Sequence, residues 1–228
     1  GVYSLANSFL PPRHPLFTEA AEEKLVIYEY NPEKARDLLT MAGFAPGPDG
    51  VMTHVETGER LDINFRTVAG NRPRELMQQV LADYWEEIGV KVQIENLSSG
   101  ALFHPEHLYK REWPGMILFA WISNPRVLPN GWHSNSIPTA ENGWAGQNVA
   151  GWENEEADEL IDLIMAEISE EKRQEYAVGL LELWTKDLPI IPLFNRVEVA
   201  TWKPNILNIK PTGTNDPDTW NIHLWDIQ

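Results

Sequence analysis

Residues 132–152 read WHSNSIPTAENGWAGQNVAGW. Three tryptophans, a run of amides and hydroxyls, and glycines at 143, 146 and 151 share a stretch with neither helical nor strand periodicity. Indole faces supply apolar contact area with little loss of side-chain freedom, and carboxamides both donate and accept hydrogen bonds. That combination suits an uncharged or zwitterionic ligand bound without chemistry. The upstream run AWISNP adds Trp121 and Asn124. The candidate ligand-binding residues are therefore Trp121, Asn124, Trp132, Asn135, Glu141, Asn142, Trp144, Gln147 and Asn148. The competing reading is a long loop tacked onto its domain by packed indoles. Long irregular loops in compact domains are usually functional or disordered, which favours binding.

Other chemistries find less support. A glycosidase needs two carboxyl groups flanking one bond, and Glu141 is the only acid between positions 114 and 151. His104 and His107 in HPEH have a spacing that could ligate a metal on a helix, but Pro105 lies between them and no third ligand is near in sequence. An exposed loop pair is the expectation there, with no metal and no cofactor. No serine sits in a G-x-S-x-G elbow, and no glycine-rich phosphate loop follows a strand. The glycines of GWAGQNVAG run into the acidic stretch ENEEADE, which would repel an anion.

The chain has 228 residues, 43% of them hydrophobic, and a formal net charge of -16. Such a field disfavours nucleic acid and anionic lipid as partners. The absence of cysteine excludes disulfides, thiol chemistry and thiolate metal sites, and suits an oxidising compartment. No apolar run approaches the ~18 residues of a membrane span. The start GVYSLANSF reads as neither a signal segment nor a natural initiator, so a mature form or, in preference, a cut piece of a longer chain is expected.

The elements that must position these residues alternate between strand and helix. NPEKARDLLTMAGF predicts a helix capped by Asn31, with Pro32 in its first turn, Gly43 past its end, and Ala35, Leu38, Leu39 and Ala42 on one face. Two alternating runs around Thr57-Gly58 predict a hairpin. LDINFRT, a helix with Leu76, Val80, Tyr84, Trp85 and Ile88 on one side, and VKVQIENL predict a parallel strand–helix–strand crossover. GMILFAWI reads as a strand covered on both faces. Two helices follow the tryptophan-rich segment. Asn154 caps the first, whose stripe is Ala157, Leu160, Ile161, Ile164, Met165 and Ile168; Ser169 starts the second, which runs to about Leu188. LFNRVEVATW and TWNIHLWDIQ read as strands. The sheet core is α/β. Its candidate site follows the end of an apolar strand, where open α/β sheets bind ligands.

The ordered set YNPEKARDLLTMAGF, hairpin, LDINFRT, LMQQVLADYWEEIGVKVQIENL, NEEADELIDLIMAEIS and LLELWTKDLPIIPLF resembles the C-terminal lobe of extracytoplasmic solute-binding proteins of family 5. These are the dipeptide- and oligopeptide-binding components of bacterial ABC importers. IPTAENGWAGQNVAGWENEEADELID is similar to the loop-to-helix passage of peptide-binding members. The resemblance covers nearly the whole chain. It implies a periplasmic-binding-protein-like α/β lobe, with a mixed, mainly parallel sheet flanked by helices, plus a β-hairpin. Residues 1–30 would lead in from a first lobe, 31–200 would form the C-terminal lobe, and 201–228 would return toward the first lobe.

The implied function is solute capture between two closing lobes, without catalysis. The implied partners are a peptide or other small-molecule ligand, the N-terminal lobe of the same protein and ABC permease subunits. The implied location is periplasmic or extracytoplasmic, with any signal peptide or lipoprotein cysteine upstream. In oligopeptide-binding members an aspartate shortly after the strand-end tryptophan pairs with the peptide's amino terminus. Here Asn124 stands at that place, and a carboxamide does not supply the charge-assisted bond. Glu141 could substitute, or the ligand lacks an amine. Some relatives bind oligosaccharides, which the tryptophans would suit. An oligosaccharide receptor is thus the alternative within the family, and a secreted carbohydrate-active enzyme the alternative outside it.

Overall fold

The computed structural model describes residues 4–121, 129–196, 199–212 and 217–228. Its helices are α1 (Glu19–Lys24), α2 (Pro32–Met41), α3 (Arg72–Glu87), α4 (Ser99–Leu102), α5 (Pro105–Leu108), α6 (Glu155–Ala166) and α7 (Glu170–Asp187). Its strands are β1 (Ser4–Leu5), β2 (Phe44–Pro46), β3 (Met52–His54), β4 (Asp62–Arg66), β5 (Lys91–Ile94), β6 (Met116–Ile117), β7 (Phe194–Asn195), β8 (Ile206–Leu207) and β9 (Asp226–Ile227). The backbone divides into two compact units. One comprises Gly1–Ile27, Ile122–Ile137 and Ala150–Gln228, and the other Tyr28–Trp121 and Pro138–Val149.

Side-chain caps set the helix starts. The Asn31 carboxamide accepts from Lys34 N at 2.9 Å, that of Asn154 from Ala157 N at 3.1 Å, and the Ser169 hydroxyl from Lys172 N at 3.5 Å. Each satisfies one of the free N–H groups of a first turn. Gly43, at φ +88°, follows α2 as expected. Leu188 closes α7 in the left-handed region, at φ +48°.

In the second unit, β4 is the middle strand of a parallel sheet ordered β5-β4-β6. Helix α3 makes the crossover from β4 to β5, the unit read from the sequence. Phe65 of β4 is buried against Trp85 of α3, ring centroids 5.2 Å apart. The face of α3 differs from expectation. Gln78 and Ala82 are its buried residues, whereas Leu76, Val80 and Tyr84 are about half exposed. The physical reason is that the Gln78 amide donates to the Phe65 carbonyl at 2.7 Å, so a polar side chain is accommodated under the helix.

Two other expectations change here. The turn at Thr57-Gly58 forms, with Gly58 N donating to His54 O at 2.9 Å and His54 N to Glu59 O at 2.7 Å. Beyond the Thr53–Arg60 bridge, however, the second run leaves for the parallel sheet, and the antiparallel partner of β3 is β2. The apolar run 115–122 contributes only Met116–Ile117 as strand, continued by Leu118 N donating to Arg66 O at 2.8 Å. Among the described residues it is an edge strand, and Met116 and Ile117 are half-buried rather than covered on both faces; Ile122 lies outside the described residues.

The first unit packs α7 against α6 and α1. Its core joins Leu10, Leu16 and Leu25 to Ile161, Ile164 and Trp184, among others. Of the stripe expected on α6, Ala157, Ile161 and Ile164 are buried and Leu160 is packed beside them. Met165 is partly exposed and Ile168 is 96% exposed. Ile168 lies past the helix end, in a turn where the Glu167 carboxylate accepts from Ile168 N and Ser169 N, both at 2.8 Å. Strand β7 is only two residues long and pairs antiparallel with β1, Leu5 opposite Phe194. The tail is a 3-10 turn over Asp218–Leu224 followed by β9, which pairs with β8, instead of one strand.

Candidate functional site

Among the candidate residues, Trp121, Glu141, Asn142, Trp144, Gln147 and Asn148 belong to the second unit, and Trp132 and Asn135 to the first. Asn124 lies outside the described residues.

In the second unit the chain leaving β6 carries a ladder of rings. Phe103 meets Phe119 edge-on at 5.8 Å between centroids, and Phe119 meets Trp121 at 5.5 Å. The Thr67 hydroxyl donates to Leu118 O at 2.8 Å and ties this stretch to the end of β4. Trp121 is the last ring and stays 45% exposed, at the carboxyl end of the parallel strands.

Residues 139–145 form one tight turn. The Asn142 carboxamide oxygen accepts from both Thr139 N (2.9 Å) and Ala145 N (3.1 Å). Trp144 N donates to Thr139 O at 2.7 Å, and Trp144 itself adopts φ +61°, a region a bulky residue rarely occupies. Its indole is half-buried, with Lys110 Nζ 5.4 Å from the ring centroid. Lys110 also pairs with Glu106 one helical turn earlier. Glu141 is exposed on the turn. Its carboxyl is held below the ordinary range, first by its own backbone N–H and then by the Thr139 hydroxyl. Gln147 is exposed, whereas Asn148 is fully buried.

In the first unit Trp132 lies half-buried between two rings, 5.5 Å from Phe9 and 5.4 Å from Trp184. Asn135 is exposed, and its N–H donates to His133 Nδ1 at 3.0 Å. It lines a shallow hollow of about 460 Å³ with Ser134, Glu153, Asn154, Glu155 and Asp158. Asp158 accepts from Ser134 N at 2.8 Å and from the Ser134 hydroxyl.

Sequence reasoning overlooked three participants. Thr139 and Lys110 shape the surroundings of Trp144, and Asp158 anchors the turn that carries Asn135. The T-x-x-N spacing of Thr139 and Asn142 is a signal for a side-chain-bonded turn that could have been read. Lys110 had no signal, because its meeting with Trp144 bridges 34 positions of sequence. His104 caps α5, accepting from Glu106 N at 3.2 Å, and His107 faces Trp113 and Arg66, so the two imidazoles serve separate local roles. Among the described residues no group of three or more His, Cys, Asp or Glu is placed to hold a metal ion.

Within the second unit the arrangement presents the Trp121 and Trp144 rings, the Gln147 carboxamide and the Glu141 carboxylate. It can hold a solute by stacking and hydrogen bonding.

Di/tripeptide-binding protein 3 of Pseudomonas aeruginosa is 23% identical over 195 residues, covering 85% of this chain and 33% of that protein. The chain thus spans about a third of the length of this curated relative. The oligopeptide-binding protein of Thermus thermophilus, solved with a pentapeptide, is 33% identical with a TM-score of 0.79, covering 86% of this chain and 34% of that one. The oligopeptide-binding protein AppA of Bacillus subtilis, solved with a nonapeptide, shares the fold at 18% identity and a TM-score of 0.79, covering 99% of this chain and 43% of that one. The model of the bacterial extracellular solute-binding proteins, family 5 Middle, matches residues 1–142, and the chain belongs to that family.

Proposed function

We propose that this chain is the second lobe of a peptide receptor serving an ABC importer. The observation that carries the reading is the 33% identity, over 86% of the chain, to a receptor holding a pentapeptide. Trp121 and Trp144 supply apolar walls, and the exposed Gln147 supplies a donor and an acceptor for a peptide backbone. Residues 1–30 and 201–228 lead from and to a first lobe, which contributes the opposite wall. Ligand bridging the two lobes favours the closed state by the contacts made only there. The closed receptor then meets its permease outside the cytoplasm.

The reading includes no catalysis. A glycosidase acid needs a raised pKa to stay protonated at neutral pH. The hydrogen bonds to Glu141 act in the other direction and lower its pKa.

The test is calorimetry on the complete product of the gene encoding this chain, with pentapeptides and a linear hexasaccharide. Tight pentapeptide binding is expected, with weak or no binding by the 228-residue chain alone, since half the contacts are missing. Binding of the hexasaccharide instead would select the sugar-receptor alternative. Glycoside turnover abolished by Glu141→Gln would overturn the receptor reading.

A further inference from the structure

We propose that Lys110, outside the tryptophan-rich segment, sets the charge preference at the indole of Trp144, so that this subsite takes an apolar or aromatic side chain and rejects a cationic one. This rests on the receptor reading above and deepens it.

Three observations support the assignment. First, Lys110 Nζ lies 5.4 Å from the Trp144 ring centroid, within the range over which a cation is drawn to the face of an aromatic ring. Second, the ammonium is held there. Glu106 and Lys110 form an ion pair at i,i+4, and the Lys110 side chain is only 24% exposed. Pro105 opens α5 and the His104 imidazole caps it, so the short helix is anchored where it presents Glu106. Third, the indole is held as well. The left-handed backbone of Trp144 is fixed by Thr139 O, and the Asn142 carboxamide closes the turn from both sides. Neither partner needs to be ordered when a ligand arrives.

The consequence follows from the quadrupole of the ring. Attraction of a cation depends on the negative potential of the aromatic face. An ammonium on one side draws that density toward itself and adds its own repulsion to any second cation. A ligand lysine or arginine therefore meets a poorer face than a free indole offers, whereas the stacking of an apolar or aromatic side chain is little affected. Glu106 offsets part of the Lys110 charge, so the expected discrimination is modest, about threefold, the scale of one exposed cation–π contact.

The experiment uses the complete gene product and three variants: Lys110→Met, which keeps the stem, Lys110→Arg, which keeps the cation, and Trp144→Phe, which serves for assignment. The Trp144 indole N–H resonance is identified by its disappearance in Trp144→Phe. Without ligand, Lys110→Met is expected to shift that resonance and Lys110→Arg to leave it near its original place. Affinities are then measured for alanine pentapeptides carrying one leucine or one lysine at each position in turn. At one position the wild type is expected to favour leucine, and Lys110→Met to narrow that preference about threefold, with Lys110→Arg retaining it.

An indole resonance indifferent to Lys110→Met would overturn the proposal at its geometric root. Peptide binding with the leucine-to-lysine ratio unchanged in Lys110→Met would overturn the specificity claim while leaving the receptor reading intact. Failure of every pentapeptide to bind the wild type would defeat both, and is recognisable because the ratio then cannot be formed for any variant.

Discussion

Gly115 stands against the backbone of Asn64 so closely that a β-carbon on it would lie 2.1 Å from the Asn64 carbonyl oxygen. Its φ is also positive, +81°. Glycine alone lets the chain enter β6 beside β4, and thereby directs the run that ends at Trp121. Gly115→Ala is expected to destabilise the protein by about 2 kcal/mol or more, because the colliding atom is backbone and cannot swing aside. Urea denaturation followed by circular dichroism checks this. A loss below half that size would mean the edge strand can shift without harm.

Asp187 gathers two donors at the end of α7. Its carboxylate accepts from the indole N–H of buried Trp152 at 2.9 Å and from the Asn154 amide at 2.7 Å. Asp187→Ala removes the acceptor 2.9 Å from the buried Trp152 indole N–H, at a cost of about 1–3 kcal/mol. Chemical denaturation should show that loss, and Asp187→Asn should recover much of it, since an amide oxygen can still accept.

The turn between α6 and α7 carries a pH dependence of known sign. Backbone N–H groups of Ser169 and then Ile168 hold the Glu167 carboxyl below its usual range. A depressed pKa in the folded state stabilises above the unfolded value, ordinarily 4.5, and that contribution is lost as pH falls through the lowered folded value. Melting temperatures of wild type and Glu167→Gln should therefore differ at pH 7, and the gap should close as pH falls below 4.5 and on through the lowered folded value. The comparison is between variants because acidification also relieves the self-repulsion of a chain with formal charge -16. A gap that persists or widens in acid would contradict the assignment.

Two tryptophans of the candidate site should separate in their effects. Trp132 packs against Phe9 and Trp184, so Trp132→Ala is expected to lower stability by about 2–3 kcal/mol. Trp121 ends its ladder 45% exposed, and Trp121→Ala should move stability by no more than about 0.5 kcal/mol. In the complete gene product the same change should weaken pentapeptide binding about tenfold, as loss of an aromatic anchor does. Thermal melts and calorimetry on the two variants decide the matter. Equal stability losses would place both indoles in packing alone.

What could be read in advance depended on how local the cause was. Asn31, Asn154 and Ser169 cap helices through bonds three residues away, and the sequence showed all three. The crossover from β4 through α3 to β5 was legible from period and length. The buried face of α3 was not, because Gln78 is sheltered by a carbonyl 13 positions distant that no helical pattern reveals. The run at 115–122 looked like a central strand because apolar content does not tell an edge position from an interior one. At the candidate site, the turn built by Thr139 and Asn142 was within reach of the sequence, whereas the approach of Lys110 to Trp144 depends on tertiary placement.

The pairing of β1 with β7, and of α1 with α7, has a consequence for how the chain is made. Ser4 and Leu5 find Asn195 and Phe194, the first pair 191 positions apart, only after the intervening residues have been made. Contacts this distant in sequence are slow to close and leave apolar side chains such as Leu10, Leu16 and Leu25 uncovered in the meantime. The segment carrying Ser4 to Leu25 is thus a late-docking piece, and a nascent chain in which α7 and β7 are still missing would be a natural client for holding chaperones.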